Sequence, residues 1–454
     1  MSEKVAERSA VTDEQKAARK QASDAERKAR GNNGAKRKEY FTMQTIVEDI
    51  YPDGIDPALC TAIGVREIIR YEMLRPSFIK HVYKIHVMKM DGAIHSGKTP
   101  PSPLMNSRFD GSFIAGIAEL RYLYSMPVER IVKYFNGNGF DIDSQTAYGL
   151  LSKIGDLLEN LHKALQAAVK EGKYLNCDET YHTVLINADD NGGKGSKKGY
   201  IWVIANAETG LVYFFYDDGS RSEKVILKEL KGYKGIIQSD GLGAYKKVSQ
   251  QSDGEIVRVA CLQHCKKDFL DDSIKDNHDA REVVDLANLL YHNDHMHKIG
   301  ADGWTSDDNL KWRREYAPPI LNALKTKLEG IRSDLNKYPP KSLMHKAANY
   351  FLNEWDGIEA ISNYGHVAWD NNRLERINRY VSLSRHNSLF FGSHEGAKRG
   401  CIFYSLACSC RELGVNFFDY LSDTLNKTAA LPPGSGIDEY HKLLPDQWKI
   451  EQQG

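Results

Sequence analysis

Several common features are missing from this sequence. No apolar segment approaches the roughly 20 residues that span a bilayer, so no membrane partner is expected. The 7 cysteines are scattered, and none forms a Cys-x-x-Cys pair, so neither a disulfide framework nor a structural zinc ribbon is expected. The first residues lack the apolar stretch of a secretory signal, and a cytoplasmic protein is therefore predicted. Net charge is zero, with 61 basic against 61 acidic side chains, so any contact with nucleic acid must come from local patches.

The N-terminal quarter is poor in structure-forming patterns. Residues 1–40 are charged and almost without large apolar side chains, which predicts a disordered tail or a frayed helix. Residues 41–110 are predicted to form a small β-containing region and a Pro-rich linker. Within it, residues 78–90 alternate apolar and polar side chains, as a strand does.

Residues 111–172 show the spacing of helices. Pro127 is predicted to open a second helix, and Ser144 to cap a third after a Gly-rich turn. Two short helices, a turn and a capped helix are typical of a helix-turn-helix that binds DNA. Ordinary helical packing explains the same pattern, and both alternatives stay open at this point.

The period then changes to that of strands. Residues 174–186, 200–205, 211–216 and 235–239 are predicted strands, with a flexible tip at 187–198 and a helix at 220–230. Residues 271–362 are helical by period, and two more helices are predicted at 371–383 and 395–411. The predicted regions are therefore a first core segment at 173–270, a helical segment at 271–362, a second core segment at 363–426 and a tail at 427–454.

Two aspartates follow short apolar segments. Asp178 comes after Leu-Asn-Cys and Asp240 after Ile-Ile-Gln-Ser. An unpaired buried carboxylate is costly, so packing does not explain this position. If the two strands are neighbours, both carboxylates lie at one sheet edge, where a hard cation such as Mg²⁺ would relieve their repulsion. The alternative is that both are helix caps or turn formers.

A third carboxylate is available at a predicted helix start. Asn371 and Glu375 are four residues apart and share a face, and Arg379 lies one turn further along. An acid, an amide and a guanidinium on one stripe suit a metal ligand beside phosphate contacts. A solvated, salt-bridged face is the alternative. Separately, Lys266 and Lys267 follow a predicted strand and could face phosphate.

Two further motifs point to other chemistries. Residues 92–99 match the phosphate-binding Gly-x-x-x-x-Gly-Lys-Thr pattern, but the prolines that follow are incompatible with the helix that the pattern needs. His295-Met296-His297 matches the His-hydrophobe-His motif of Tyr-dependent nickases, but its surroundings predict a helix end and not a strand.

Taken in order, these motifs resemble those of the transposases of the insertion sequence 66 family, of the Asp-Asp-Glu type, over about residues 110–450. The matching motifs are Cys177-Asp178-Glu179-Thr180, Lys198-Gly-Tyr-Ile-Trp202, Gln238-Ser-Asp240-Gly, Cys261-Leu-Gln-His264, Asp370-Asn-Asn-Arg-Leu-Glu375-Arg376, Phe390-Phe-Gly392-Ser393 and Leu443-Leu444-Pro445. Family members usually carry a Cys-x-x-Cys zinc module upstream. Residues 83–97, the equivalent stretch, contain no cysteine, and no zinc is expected.

The resemblance implies an α/β fold: a ribonuclease-H-like catalytic core, with a mixed five-stranded sheet and flanking helices, interrupted by an all-helical insertion and preceded by a helix-turn-helix-like domain. It implies that Asp178, Asp240 and Glu375 are catalytic and hold two Mg²⁺ (or Mn²⁺) ions. The residues expected to contact DNA are Lys197, Lys198, His264, Lys266, Lys267, Asn371, Asn372, Arg376, Arg379 and Arg385.

The leading hypothesis is a DNA transposase that cleaves and transfers strands by two-metal phosphoryl transfer. Its expected partners are the inverted repeats at transposon ends, target DNA, further copies of itself in the active complex and accessory proteins of the same element, and its expected location is the cytoplasm, on the nucleoid. Two alternatives remain: a catalytically silent DNA-binding protein on the same fold, and the Tyr-dependent nickase.

Overall fold

The computed structural model describes residues 44–74, 77–187 and 195–453. The predicted tail at 1–40 and most of the predicted tip at 187–198 lie outside these residues. Within them the fold is mixed α/β, with one four-stranded and one five-stranded sheet. The mixed α/β class predicted from the sequence is therefore confirmed.

The N-terminal sheet contains four strands, β1 Gln44–Ile50, β2 Thr61–Leu74, β3 Ser77–Met90 and β4 Ala93–Ser96. Strand β3 lies in the middle, parallel to β1 and antiparallel to β2 and β4. The strand predicted at 78–90 is thus confirmed. Backbone hydrogen bonds then join Tyr71 of β2 to Arg108 and Asp110, just ahead of the first helix.

Four helices follow, α1 Gly111–Tyr122, α2 Val128–Gly137, α3 Ser144–Leu157 and α4 Glu159–Lys170. Pro127 is the N-cap of α2, as predicted. Ser144 is not the cap of α3, because Asp143 precedes the helix in extended conformation and accepts a 2.6 Å hydrogen bond from the Thr146 N–H. Aspartate and serine cap about equally well, so the choice between them depends on backbone conformation.

The central sheet contains five strands, β5 Tyr174–Leu185, β6 Ser196–Asn206, β7 Val212–Tyr216, β8 Gly235–Ser239 and β9 Ile256–Ala260. Their order is β7-β6-β5-β8-β9; β5, β6 and β7 are antiparallel neighbours, and β8 and β9 are parallel to β5. Because β6 begins at Ser196, Lys197 and Lys198 belong to a strand and not to the predicted tip.

Short helices follow the strands: α5 Glu223–Glu229 between β7 and β8, α6 Gly243–Gln250 between β8 and β9, and α7 Leu262–Lys267 after β9. Four longer or tightly packed helices come next, α8 His278–Asp294, α9 Ser306–Ser333, α10 Leu343–Asn353 and α11 Trp355–Ile361. Their apolar faces share one core with the end of β9, since Val259 and Leu262 are buried in the same cluster as Leu324 and Phe351. The helical segment is therefore packed onto the sheet.

The C-terminal part is helical throughout, α12 Asn372–Asn387, α13 His394–Leu413, α14 Phe417–Ala430, α15 Ile437–His441 and α16 Pro445–Gln453. Residues 427–454, predicted as a C-terminal tail, contain the end of α14 and the helices α15 and α16. Leu444 is completely buried, and Trp448 Nε1 donates to Asp423 at 2.7 Å. The indole of Trp448 has its partner on α14, 25 residues away, and the local sequence did not reveal this contact.

Candidate functional site

Sheet register brings the two aspartates to neighbouring positions. Strand β5 pairs in parallel with β8 from Tyr174 opposite Ile236 to Asn176 opposite Gln238. Two residues further along each chain come Asp178 and Asp240. Strand β5 continues past Asp178 beside β6 to Leu185, in agreement with the strand predicted at 174–186. Strand β5 loses only its neighbour β8 at this point, because β8 ends at Ser239.

Asp178 is a partly buried carboxyl group with two hydrogen-bond donors. Asn378 Nδ2 of α12 lies 2.6 Å from its Oδ2, and the Glu179 N–H donates to its Oδ1 at 2.9 Å. Burial, and then the negative charges of Glu179 and Asp240, raise the pKa of Asp178 to about 8 even though both donors oppose this shift. The hydrogen bonds from Asn378 and the Glu179 N–H therefore do not offset the effect of burial and of the neighbouring negative charges on Asp178.

Glu179 is a further acidic residue at this edge, and it was not singled out from the sequence. Its side chain is 4% exposed; Arg221 Nη2 lies 2.6 Å from Oε1, and Tyr245 donates to Oε2 at 3.2 Å. Burial, followed by the charge of Asp240, still raises its pKa. Alternation along the strand directs Asp178 to α12 and Glu179 to α6.

The turn at Asp240 is held by residues of other elements. Arg258 of β9 donates to the Asp240 carbonyl oxygen at 2.5 Å and to Ser239 Oγ at 3.0 Å. The Gly241 N–H donates to the hydroxyl of Tyr350 at 3.2 Å. A Cβ on Gly241 would lie 2.7 Å from that hydroxyl, so glycine is required for the close approach. The carboxylate of Asp240 is thereby presented from a fixed backbone.

Glu354, beside this turn, is a buried anion with two cationic partners. It is 2% exposed, with Arg258 Nη2 at 2.5 Å and Lys246 Nζ at 2.6 Å. Glu354 and Tyr350 both come from the end of the helical segment. That segment therefore supports the aspartate pair directly, through contacts that no sequence motif indicated.

The third predicted acid, Glu375, lies on α12 but does not contact Asp178 in this structure. Helix α12 crosses β5 with Asn371 Nδ2 donating to the Cys177 carbonyl oxygen at 3.2 Å and with Asn378 at Asp178. Glu375 lies between these two asparagines on the same face of the helix. Its Oε1 is 3.6 Å from His264 Nδ1, and Cys261 completes this second group. The structure thus places Asp178 and Asp240 at neighbouring strand positions, and Glu375 beside His264.

The predicted DNA contacts on α12 and its start fall into two sets. Arg376 and Arg379 are exposed, and neither side chain has a hydrogen bond or ion pair among the described residues. Arg385 instead donates to the Tyr181 carbonyl oxygen at 2.9 Å. Asn371 is 2% exposed, so its prediction as a DNA contact is wrong: its amide is used between α12 and β5. Asn372 Nδ2 donates to Asp370 at 2.8 Å.

The predicted lysine contacts also differ in availability. Lys198 is exposed and lies 4.0 Å from the Tyr181 ring centre, and Lys197 is partly buried in the same strand. Lys267 is exposed. Lys266 Nζ donates to Asn288 at 2.8 Å and thereby connects α7 to α8, and burial lowers the pKa of Lys266.

The two competing motifs lack the structure that their chemistries need. His295 caps the end of α8, and the His297 ring stacks on Trp304 at 3.8 Å, so the pair does not lie on a strand. The nickase alternative is therefore contradicted. Residues 92–99 are followed by an irregular stretch, and α1 begins only at Gly111, which confirms the rejection of a nucleotide-binding loop.

All 7 cysteines are free thiols, in line with the absence of a disulfide framework. Over the residues that the structure describes, no helix is both long and apolar enough to span a membrane.

Comparison with known proteins gives one family and three relatives. The model described as "Transposase IS66 family" matches residues 106–399. Of three uncharacterized proteins of Sinorhizobium fredii, y4jD is 26% identical over 353 residues, or 75% of this chain and 66% of its own length. The protein y4qI is 25% identical over 91% of this chain and 77% of its own length, and y4hP is 23% identical over 90% and 78%. The chain thus spans about two thirds of y4jD.

The family match contains the aspartate pair, the whole helical segment and Glu375, and it covers well over half of the chain. The resemblance inferred from the motifs is confirmed, and the protein belongs to the IS66 family of transposases.

Proposed function

We propose that this transposase cleaves DNA at the ends of its insertion sequence and joins them to target DNA, with two Mg²⁺ (or Mn²⁺) ions held by Asp178, Asp240 and Glu375. The observation that carries the proposal is the pair of aspartates on adjacent parallel strands, close enough for the charge of Asp240 to raise the pKa of Asp178. A fold that keeps this repulsion gains from a cation between the two groups.

The strand order supports a ribonuclease-H-like core. Three antiparallel strands, a helix and then two parallel strands are found in the order β7-β6-β5-β8-β9. Along the chain, the helices α8 to α11 come after the last strand of this sheet and before α12. This order fits an insertion within the core. The arrangement of α1 to α4 is compatible with a helix-turn-helix-like domain for the transposon end.

The donor set fits a hard divalent cation. Carboxylate oxygens are the ligands that Mg²⁺ prefers. Asn378 and the Glu179 N–H each take one lone pair of Asp178 and fix its orientation, while other lone pairs remain available. For Asp240, the Leu242 N–H donates to Oδ1 at 3.0 Å. Glu375, whose side chain is 41% exposed, would turn from His264 toward the aspartates to complete the set.

When bound, such ions stabilise charge on the phosphoryl oxygens and lower the pKa of the attacking hydroxyl. The chain's own residues keep the acids in place: Arg258 and Tyr350 hold the Asp240 backbone, and Asn378 holds Asp178. Arg376 and Arg379, exposed on α12, are positioned to contact phosphates of the DNA backbone. Oligomers in the active complex and accessory proteins of the same element belong to the same proposal.

The test is cleavage of labelled transposon-end DNA with Mg²⁺. Asp178→Asn, Asp240→Asn and Glu375→Gln should each lower the rate by about 10³-fold or more, and a double variant should be no worse, because the three act as one unit. Binding of end DNA, measured by fluorescence anisotropy, should persist in all of them. The matched controls are Asp285→Asn and Glu315→Gln, exposed on α8 and α9.

Two outcomes would contradict the proposal. Normal cleavage by Asp178→Asn would remove the aspartates from the chemistry. A wild-type chain that binds transposon ends tightly but never cuts them, with Mg²⁺ or Mn²⁺, would favour the catalytically silent DNA-binding protein.

A further inference from the structure

We propose that Cys261, His264 and Glu375 form a second metal site, selective for zinc-class divalent ions. The Cys-x-x-His pair alone has only two ligands. The fold supplies a third from α12, and the three ligand atoms, one per residue, all lie within 4.8 Å of one another. The site is distinct from the aspartate pair, although it uses one acid of the proposed catalytic set.

The spacing of the ligand atoms suits a tetrahedral ion. Metal–ligand distances of about 2.0–2.1 Å to nitrogen and oxygen and about 2.3 Å to sulfur imply tetrahedron edges of about 3.3–3.4 Å between nitrogen and oxygen and about 3.5–3.6 Å to sulfur. His264 Nδ1 and Glu375 Oε1 are 3.6 Å apart. This is too long for a hydrogen bond, whose usual range is about 2.7–3.2 Å, but it is within a few tenths of an ångström of such an edge. The Cys261 sulfur lies within 4.8 Å of both other ligand atoms. It must therefore approach them by at most about 1.3 Å to reach the edge length of about 3.5–3.6 Å.

The surroundings of the ligand atoms also favour a metal. His264 Nδ1 is a buried nitrogen without a hydrogen-bond partner in the described structure. A buried polar atom of this kind is usually satisfied by a water or an ion, and it costs free energy when it is not. The sulfur of Cys261 accepts the Asn371 N–H at 3.2 Å and interacts with the His264 backbone N–H. Two backbone donors to one sulfur stabilise a thiolate ligand.

The ligand types select the ion. A thiolate and an imidazole favour Zn²⁺, Co²⁺ and related ions over Mg²⁺, which prefers oxygen. Three protein ligands leave the fourth position open. Cys261 binds the ion as a thiolate, so its thiol proton is released on binding.

Co²⁺ is the probe for the site, added to the full chain. We expect a thiolate-to-cobalt charge-transfer band at one ion per chain, and Zn²⁺ should abolish it by displacement. Cys261→Ser should lose the band, and His264→Gln and Glu375→Gln should weaken Co²⁺ binding by about 10-fold or more. Cys265→Ala is the matched control: this buried thiol lies four residues away, outside the cluster, and its variant should keep the band.

Absence of the band in the wild-type chain, or its survival in Cys261→Ser, would overturn the site. Circular dichroism would establish that each variant is folded, and His264→Gln provides the test should Cys261→Ser not fold. Asp178→Asn should keep the band, so loss of the proposed catalytic site and loss of this site are distinguishable.

Sharing of Glu375 has a functional consequence that rests on the proposed function. A zinc-class ion that holds this carboxylate keeps it from the aspartates. We therefore expect Zn²⁺ to inhibit Mg²⁺-supported cleavage in the wild-type chain, and the ratio of rates with and without Zn²⁺ to approach one in Cys261→Ser. Equal inhibition of both proteins would show that Zn²⁺ acts at the aspartates, and would overturn the shared carboxylate.

Discussion

Binding of Mg²⁺ should release a proton from the aspartate pair. The pKa of Asp178 is raised from 3.8 to about 8 by burial and by neighbouring negative charge. Near pH 7 the pair therefore carries a proton that Mg²⁺ must displace, and the proton belongs to the coupled groups as a unit. A pKa of about 8 predicts release of about 0.9 proton per ion at pH 7 and about 0.5 at pH 8.

The same pKa fixes how the affinity for Mg²⁺ changes with pH. From the protonated fraction, affinity should rise about ninefold from pH 6 to 7, about fivefold from pH 7 to 8 and only about twofold from pH 8 to 9. The affinity for Mg²⁺ rises with pH because the pKa of Asp178 is raised: the proton that competes with the ion is present below about pH 8 and lost above it. Without the ion, the free energy of unfolding should fall as pH rises between about 4 and 8, because the folded state holds a proton that the unfolded state does not.

Titration calorimetry with Mg²⁺ measures both quantities when it is repeated in buffers of different ionisation enthalpy. Asn378→Ala removes a hydrogen bond that lowers the pKa of Asp178. A hydrogen bond to a charged group contributes about 1.5–3 kcal/mol. In Asn378→Ala, the pH midpoint of the change in Mg²⁺ affinity should therefore move up by about one pH unit or more. Asp285→Asn should behave as wild type. Affinity that does not change between pH 6 and 9, with no proton released, would refute the reasoning.

Three other changes test the supports of the site and its DNA contacts. Glu354→Gln breaks a buried ion pair and should lower the free energy of unfolding by about 3 kcal/mol, measured by urea denaturation; a loss below about 1 kcal/mol would contradict the inferred burial. Gly241→Ala places a Cβ against Tyr350 and should cost about 1–3 kcal/mol in the same assay, a cost that Tyr350→Ala should largely relieve. Arg376→Ala should reduce the slope of log affinity for end DNA against log salt by about 1, whereas Lys266→Ala should leave the slope unchanged.

The sequence predicted those parts of the fold that depend on local patterns. Alternation identified the strand at 78–90, and the apolar runs around Asp178 and Asp240 identified two strands of the central sheet. Ordered motifs predicted the family. The juxtaposition of the aspartates was also a sound expectation, because residues at matching positions of adjacent parallel strands meet whenever the strands pair.

The supporting residues could not be predicted, because their roles depend on contacts between distant parts of the chain. Glu354 is 96 residues from Arg258, and Tyr350 is 109 residues from Gly241. Tyr350 lies in α10 and Glu354 at the junction of α10 and α11, where the local pattern indicates only an amphipathic surface. Asn371 was assigned to DNA for the same reason: its neighbours in sequence suggested a polar face, and only packing against β5 shows that it is buried.

The hydrogen bond between Asn378 and Asp178 joins residues that are 200 positions apart, and this has a consequence for synthesis of the protein. At about 5–20 residues per second, a growing chain carries Asp178 for about 10–40 seconds before Asn378 has been made. Over that interval the sheet can form while Asp178 lacks its partner and Glu375 has not yet been added. Under the proposed function, a nascent chain would be unable to cut DNA until α12 leaves the ribosome, and prematurely terminated chains would keep the aspartates without the helix that carries Glu375 and Asn378.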